Sequence, residues 1–322
     1  MKAAVVTETG IAVRDVPQPK PKPNEILVRV RAASLNRADL AVAAGHAHGA
    51  MGGPGTVPGL EWAGEVVEAG PEVSGFKAGD RVMCSGGGGY AEYAATDFGR
   101  CAPIPDGMSF ETATTLPLAL QTMHDAIVTN GRLQAGESIM IQGASSGVGL
   151  MALQIAKRRG AAIVIGTSTN AQRRERLAEF GATHVVDTSE PDWPERVKEI
   201  TGGKGVNVII DQVSAPVANG NMRAAAVLGR IVNVGRLGGS KGEFDFDLHA
   251  LKRISYIGVT FRTRSVEEVR EINRKMRAEL WDAVTAGEFR LPIDRSFPLD
   301  DAAAALAHMK ANAHFGKVLL IP

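Results

Sequence analysis

The clearest pattern along the chain begins at Ser138, where short apolar runs alternate with stretches of helical spacing. SIMIQ (138–142), AAIVIGTS (161–168), HVVD (184–187), VNVIIDQV (206–213), RIVNVG (230–235) and SYIGVTF (255–261) read as strands. Between them, VGLMALQIAKRRG (148–160), AQRRERLAEFG (171–181), PDWPERVKEITGG (191–203) and MRAAAVLG (222–229) read as helices. The strands are near-continuous Val/Ile runs rather than apolar–polar alternations. Such runs belong to parallel strands covered on both faces, and they predict an α/β fold with a doubly wound sheet of dinucleotide-binding type.

Residues 1–100 have a different rhythm. AAVV (3–6), EILVRVRAASL (25–35), AGEVVEAG (63–70) and YAEYAA (90–95) are short β-like runs between Gly and Pro punctuation. Prolines at 17, 19, 21 and 23 exclude a helix there, so a β-rich domain is expected. DGMSFETATTLPLALQTMHDAIVTNG (106–131) then predicts two helical pieces that meet at Pro117. Near the end, Ser265 and Glu268 form a capping box ahead of the stripe Val269, Ile272, Met276, Leu280 and Ala283, and Gly287 offers a stop. RSFPL and KVLLIP read as strands around a helix for which Asp300 is the expected cap. This tail has no place in the parallel sheet. It is expected to return to the N-terminal part, giving a catalytic domain of residues 1–120 and 263–322 with a nucleotide domain, 121–262, inserted.

One motif joins the first predicted strand of the parallel sheet to its helix: Gly143-Ala-Ser-Ser-Gly-Val-Gly149. Gly143 and Gly147 permit a tight turn and a close backbone approach, and Gly149 lets the helix pack on the strand. The backbone of Ser145, Ser146 and Val148 then faces a pyrophosphate at the positive helix N-terminus. The alternative is a purely structural glycine turn, against which the repeated strand–helix alternation argues. NAD sites usually place an acid about 20 residues further on, at the tip of the second strand. Here that tip is Thr167-Ser168, followed by Arg173, Arg174 and Arg176. Hydroxyls and guanidinium groups suit a 2′-phosphate, which a carboxylate would repel, so NADPH is the expected cofactor. The competing account of the arginines is a solvated helix face.

Composition narrows the class. The chain has 322 residues, enough for two domains, and a net charge of +1 from 36 basic and 35 acidic side chains. That balance gives no reason to expect a nucleic-acid or membrane-surface partner. No apolar run approaches the roughly 18 residues of a bilayer span. MKAAVVTETG reads as a strand and turn rather than a signal peptide, and no internal repeat is visible. Cys84 and Cys101 form no CxxC pair, so a reducing cytoplasm is the expected location. His46-x-His48 and Cys84 are the remaining metal-ligand candidates, but no third ligand stands at recognisable spacing, so no metal is expected.

Residues along the whole chain resemble the zinc-free quinone oxidoreductases of the medium-chain dehydrogenase/reductase superfamily. The matching segments are ASLNRADL (33–40), PGLEWAGEVVEAG (58–70), VSGFKAGDRV (73–82), YAEYA (90–94), LPLALQTMHDAI (116–127), GASSGVGLMALQIAK (143–157), VIIDQVS (208–214), GVTFRTRS (258–265) and HFGKVLL (314–320). The resemblance implies a Rossmann nucleotide domain inserted in a GroES-like catalytic domain, with the active site in the cleft between them. It also implies a homodimer or homotetramer built through the sheet edge at SYIGVTF. Zinc-dependent relatives carry a cysteine where this chain has Asn36, and a histidine where it has Leu60. By resemblance Asn36 lies near the nicotinamide ribose and the substrate, where its amide is a candidate oxyanion donor. Its other reading is a turn residue that caps the following helix, with Asp39 as a helix-start residue. Relatives often have a tyrosine in the next loop. Gly45–Gly55 has none, so His46 or His48 is a substitute proton donor or else a solvated histidine on a flexible lid. Thr122 and His124 are expected to line the nicotinamide side or to pack in the core. Asn233 and Gly235 are expected at the ribose, and Thr260, Phe261 and Arg262 at the carboxamide. Asn312 is expected at the phosphates, and Lys317 either beside the cleft or as a solvated strand start.

Without a Lewis acid, hydride transfer favours acceptors that delocalise charge: quinones and α,β-unsaturated carbonyls. The expected activity is therefore NADPH-dependent, metal-independent reduction of such a small electrophile. The alternatives are an enoyl-thioester reductase and a non-catalytic NADPH-binding redox sensor or structural protein.

Overall fold

The computed structural model describes residues 1–322 with the exception of His48 and Ala50. The His48 expectation therefore lies outside the described residues. The chain divides into two compact units: Met1–Leu118 with Phe261–Pro322, and Ala119–Thr260.

The first unit is mostly antiparallel. Strands β1 (Lys2–Thr7) and β2 (Gly10–Asp15) form a hairpin. A larger sheet runs in the order β14 (Ile293–Pro298), β15 (Lys317–Ile321), β3 (Glu25–Ser34), β4 (Glu61–Ala69), β5 (Arg81–Ser85), β7 (Cys101–Pro103), and β6 (Tyr93–Asp97) also pairs with β3. Two register shifts in the β3–β4 ladder mark bulges, which bend the strand. The bend lets β3 pair with β6 over residues 25–29 and with β15 over residues 33–34. Inside lie Trp62, Tyr90, Ile26 and Leu320, all fully buried. Each such side chain contributes roughly 1.5–3 kcal/mol of burial free energy.

Helices α1 (Arg37–Ala43), α2 (Phe110–Ala113), α9 (Val266–Thr285) and α10 (Ala302–Lys310) complete the first unit. The α9 capping box forms, with Glu268 N–H on Ser265 Oγ at 3.2 Å and Ser265 N–H on Glu268 at 2.7 Å. Every residue of its expected stripe is buried. Asp300 caps nothing. It takes an ion pair from Lys2 at 3.1 Å, because the α10 N-cap position falls one residue later, at Asp301.

The second unit begins in α3 (Pro117–His124), which widens into a π-helical turn over Asp125–Asn130. Its parallel sheet has the order β10 (His184–Val186), β9 (Ile163–Thr167), β8 (Ser138–Gln142), β11 (Val206–Asp211), β12 (Ala225–Asn233), β13 (Ser255–Gly258). The connecting helices are α4 (Gly147–Arg158), α5 (Ala171–Glu175), α6 (Trp193–Ile200), α7 (Ala218–Ala224) and α8 (Phe246–Lys252). This is the doubly wound arrangement that the Val/Ile runs predict, with the order reversing between β8 and β11.

Several elements differ from the sequence reading: SYIGVTF is strand only over Ser255–Gly258, YAEYAA gives way to a strand over Tyr93–Asp97, and two helices change character. MRAAAVLG is helical only to Ala224, and from Ala225 it is strand β12. Parallel pairing of Ala225 with Val206 overrides the helix propensity of the alanines, and Leu228 with Gly229 adds an irregular step marked by φ 63° at Leu228. AQRRERLAEFG is α-helical only to Glu175 and tightens to a 3-10 turn before Gly181, whose φ of 108° ends it. Among the described residues, no helix is long and apolar enough to cross a membrane.

Candidate active site and cofactor cradle

The turn after β8 has the shape of an anion cradle. Gly143 adopts φ 69°, in the left-handed region. Ser146 caps α4: its hydroxyl accepts the Gly149 N–H at 3.1 Å. A side chain on Gly149 would come 2.7 Å from the Ala144 backbone, so only glycine lets α4 seat there. The N–H groups of Ser145, Gly147 and Val148 carry no hydrogen bond to another described residue. Gly147 and Val148 are orphan donors of the first turn of a 12-residue helix, at its positive end, and Ser145 stands just before the N-cap. Behind them, Ser146 Oγ also reaches Gln212 Oε1 at 2.9 Å, and Gln212 Nε2 donates to the Gln142 carbonyl at 3.1 Å. The two glutamines are buried and fix the turn from below. The sequence reading had not singled them out.

Thr167 and Ser168 divide the work at the β9 tip. The Thr167 hydroxyl donates to Gln142 Oε1 at 2.8 Å and accepts the Gly143 N–H at 3.1 Å. It props the turn from inside, buried with its hydroxyl engaged on both sides, whereas the sequence expectation placed it at the 2′-phosphate. Ser168 Oγ lies 3.2 Å from Ser145 Oγ, joining the cradle to the tip. Asn170 caps α5 by accepting the Arg173 N–H at 2.9 Å, which starts the arginine-bearing helix here. Arg173 is half-buried. Arg174 Nη1 donates to the Ser168 carbonyl and to Asp187 Oδ2, both at 2.7 Å. No acid stands on β9, but Asp187 follows β10, the neighbouring strand.

Asn233 and Gly235 end β12. Asn233 Nδ2 bonds the Ser214 hydroxyl, which donates to the Gly235 carbonyl at 2.7 Å. Gly235 approaches Gln212 so closely that a Cβ would lie 2.7 Å from its carbonyl. Asp211 anchors this corner by accepting the N–H groups of Val213 and Ser214 at 2.8 and 2.9 Å, while burial raises its carboxyl above the usual range. Thr122 on α3 and Thr260 beyond β13 are half-buried, and His124 is buried.

The first unit holds a buried polar cluster where β3, β4 and β15 meet. The Ser34↔Glu61 and Leu319↔Ser34 pairings bring these strands into register there. Glu61 is fully buried. It accepts the Leu118 N–H and Asn36 Nδ2, each at 2.9 Å, and forms an ion pair with Lys317. The Lys317 ammonium also donates to Asn36 Oδ1 at 3.0 Å and the Leu35 carbonyl at 3.4 Å. Lys317 is 3% exposed and all three of its donors are engaged, so it is neither a solvated strand start nor free to bind a cofactor phosphate. Asn36 is engaged at both ends as well, because Nδ2 also reaches the Ser34 carbonyl at 3.3 Å. That geometry leaves no amide proton for a substrate oxyanion.

Asp39 lies beside this cluster, completely buried. It accepts the Asn36 N–H and the Tyr90 hydroxyl, each at 2.8 Å. Burial pushes its carboxyl up to about 6, against the pull of those bonds. Burial and the Asp39 charge hold the Tyr90 phenol well above its usual range. Tyr90 in turn forces Gly59, where a Cβ would meet it at 2.6 Å.

The remaining first-unit candidates are scattered. His46 is exposed. The His46 loop is tied to β1 at its far end by Gly55 N–H on Val6 O and Val6 N–H on Thr56 O, both 2.8 Å. Phe261 is half-buried and Arg262 exposed, and Gly49 approaches the Arg262 carbonyl. Asn312, at φ 55°, accepts a 2.8 Å bond from Arg37.

Comparison with known proteins agrees with this layout. A profile described as an alcohol dehydrogenase GroES-like domain matches residues 22–106, and one described as a zinc-binding dehydrogenase matches residues 147–277. The quinone oxidoreductase of Rattus norvegicus is 30% identical over 312 residues, covering 95% of this chain and 92% of that protein. The Escherichia coli quinone oxidoreductase, crystallised with NADPH, superposes over the full length of both chains with a TM-score of 0.90 at 27% identity. A highly reducing polyketide synthase of Cordyceps militaris is 29% identical over 92% of this chain, which spans only 12% of that protein. The chain belongs to the quinone oxidoreductases of the medium-chain dehydrogenase/reductase superfamily, and it is an oxidoreductase of that type.

The zinc in one profile's description does not fit this donor set. Asn36 and Leu60 offer a carboxamide and an alkyl group, and Glu61 is already neutralised by Lys317. Among the described residues no three His, Cys, Asp or Glu side chains cluster as a metal site. The nicotinamide cofactor, by contrast, fits the orphan donors of Ser145, Gly147 and Val148 and the glycine-only seat at Gly149.

Proposed function

We propose that this chain reduces quinones or α,β-unsaturated carbonyls with NADPH and without a metal ion. The observation that carries this reading is the Lys317 ammonium, buried between Glu61 and Asn36, beside the position at which zinc-dependent relatives carry a metal ligand. A tethered cation with every donor engaged polarises no carbonyl, so the acceptor must stabilise its own developing charge.

Bound NADPH supplies a hydride. The chain's own residues bind, orient and shield. Ser145, Gly147 and Val148 donate N–H groups to the pyrophosphate, and Ser168, Arg173 and Arg174 meet the 2′-phosphate. Asn233 and Gly235 shape the β12 end. Asn36, clamped by Glu61 and Lys317, contributes a fixed polar surface rather than an oxyanion donor, and His46 is the candidate proton donor among the described residues.

The test is steady-state oxidation of NADPH against ortho-quinones, para-quinones and short enones, repeated with a chelator. Turnover unaffected by chelation is expected. Tight NADPH binding with no turnover on any acceptor would instead favour the non-catalytic reading. In the same assay, unchanged turnover of His46→Ala around neutral pH removes the proton-donor role.

A second reading, reduction of enoyl thioesters, draws support from the polyketide synthase segments similar to this chain. A crotonyl thioester in the same screen separates the two. We also propose a homo-oligomer assembled on the β13 edge. Near it in sequence Phe246 and Leu251 are exposed, and Val227 and Leu228 lie exposed on the adjacent strand β12.

A further inference from the structure

The Arg174 guanidinium is fixed before any ligand arrives. Its Nη1 group donates to the Ser168 carbonyl and to Asp187 Oδ2, both at 2.7 Å. Asp187 is itself pinned from behind, because its Oδ1 accepts the Ser189 N–H at 2.9 Å and the Ser189 hydroxyl at 2.6 Å. Those bonds hold its carboxyl below the usual range, so it is ionised at neutral pH. The Val186↔Thr167 pairing sets Asp187 beside the β9 tip without placing it there. An acid on β9 would compete with a 2′-phosphate, whereas this one grips the arginine. With both Nη1 protons engaged, the Nε and Nη2 protons have no protein acceptor among the described residues.

We propose that Asp187 is a specificity-determining positioning residue: by anchoring Arg174 it holds the remaining guanidinium N–H groups ready for the 2′-phosphate of NADPH. The inference rests on the NADPH reading above and deepens it. A free arginine would lose rotamer freedom on binding a phosphate; an anchored one has lost it already. The Ser189–Asp187–Arg174–Ser168 chain is thus a preorganised fork, and Arg174 is aimed through Asp187 rather than by its own helix.

The test is equilibrium titration of NADPH, NADH, 2′,5′-ADP and 5′-AMP onto wild type, Asp187→Ala, Asp187→Asn, Arg174→Ala and the Asp187→Ala/Arg174→Ala double variant. Asp187→Ala should weaken NADPH and 2′,5′-ADP about tenfold and leave NADH and 5′-AMP within about twofold. Retained NADH binding also shows that the variant is folded. Asp187→Asn keeps an acceptor oxygen and should stay within about threefold of wild type for NADPH. In the double variant, Asp187→Ala should add nothing to Arg174→Ala. NADPH affinity unchanged or improved in Asp187→Ala, or additive losses in the double variant, would overturn the proposal while the NADPH reading stands. Wild type binding NADH more tightly than NADPH would overturn both.

Discussion

Two buried charges in the first unit have opposite consequences. Asp39 titrates at about 6 in the fold against 3.8 ordinarily, so the folded chain binds this proton more tightly than the unfolded one. Its contribution is fully present below about pH 4 and is lost as pH rises through about 6. Asp39→Asn should remove that slope, and above pH 6 it should gain on wild type by an amount on the order of a few kcal/mol. Urea melts of the two proteins at several pH values check the sign. Lys317 behaves in the other sense. Lys317→Met leaves the Glu61 carboxylate buried and unpaired, which should cost about 3–5 kcal/mol. Adding Glu61→Gln should recover a large part of the loss, and a double-mutant cycle in denaturant measures it. Neither effect was legible in the sequence. Asn36 and Lys317 are 281 positions apart, and nothing local reveals that they touch. One signal was present: Lys317 heads an otherwise apolar strand, and a charge there needs a partner.

At the scale of elements, local periodicity carried most of the reading. The Val/Ile runs and the Gly143–Gly149 turn were legible because their cause is local. The β12 start was not, because partner strand β11 decides it. Arg174 was legible as a cation but not as one held by Asp187, since that contact crosses from α5 to the end of β10. The seat of α4 yields a direct prediction. Gly149→Ala puts a methyl group against rigid backbone at Ala144, not against a side chain that can swing away. It should destabilise the protein by about 1–3 kcal/mol, and it should weaken NADPH binding as α4 shifts from β8. Thermal melts and NADPH titration read the two effects separately. On α9, Arg270 makes two bonds to Asp97, at 2.6 and 2.8 Å, and stacks over Phe98 at 4.8 Å. Arg270→Ala should cost about 1–3 kcal/mol through the buried carboxylate left behind, with cofactor affinity unchanged.

For the molecule as a whole, the homo-oligomer proposal predicts that sedimentation finds at least a dimer at micromolar concentration. Phe246→Asp should shift it towards monomer without altering NADPH affinity, and a wild-type monomer would refute the proposal. The Lys317–Glu61 pair has a separate consequence for the order in which a growing chain becomes native. The unit spanning Ala119–Thr260 is continuous in sequence, so it can fold as soon as it has been synthesised. The first unit cannot. Glu61 is made early, but its counter-charge arrives on β15, after the entire second unit. Until then the nascent N-terminal strands carry an unneutralised acid where their interior must close. The earlier-made unit is therefore completed last, and the ribosome must release Lys317 before it can seal.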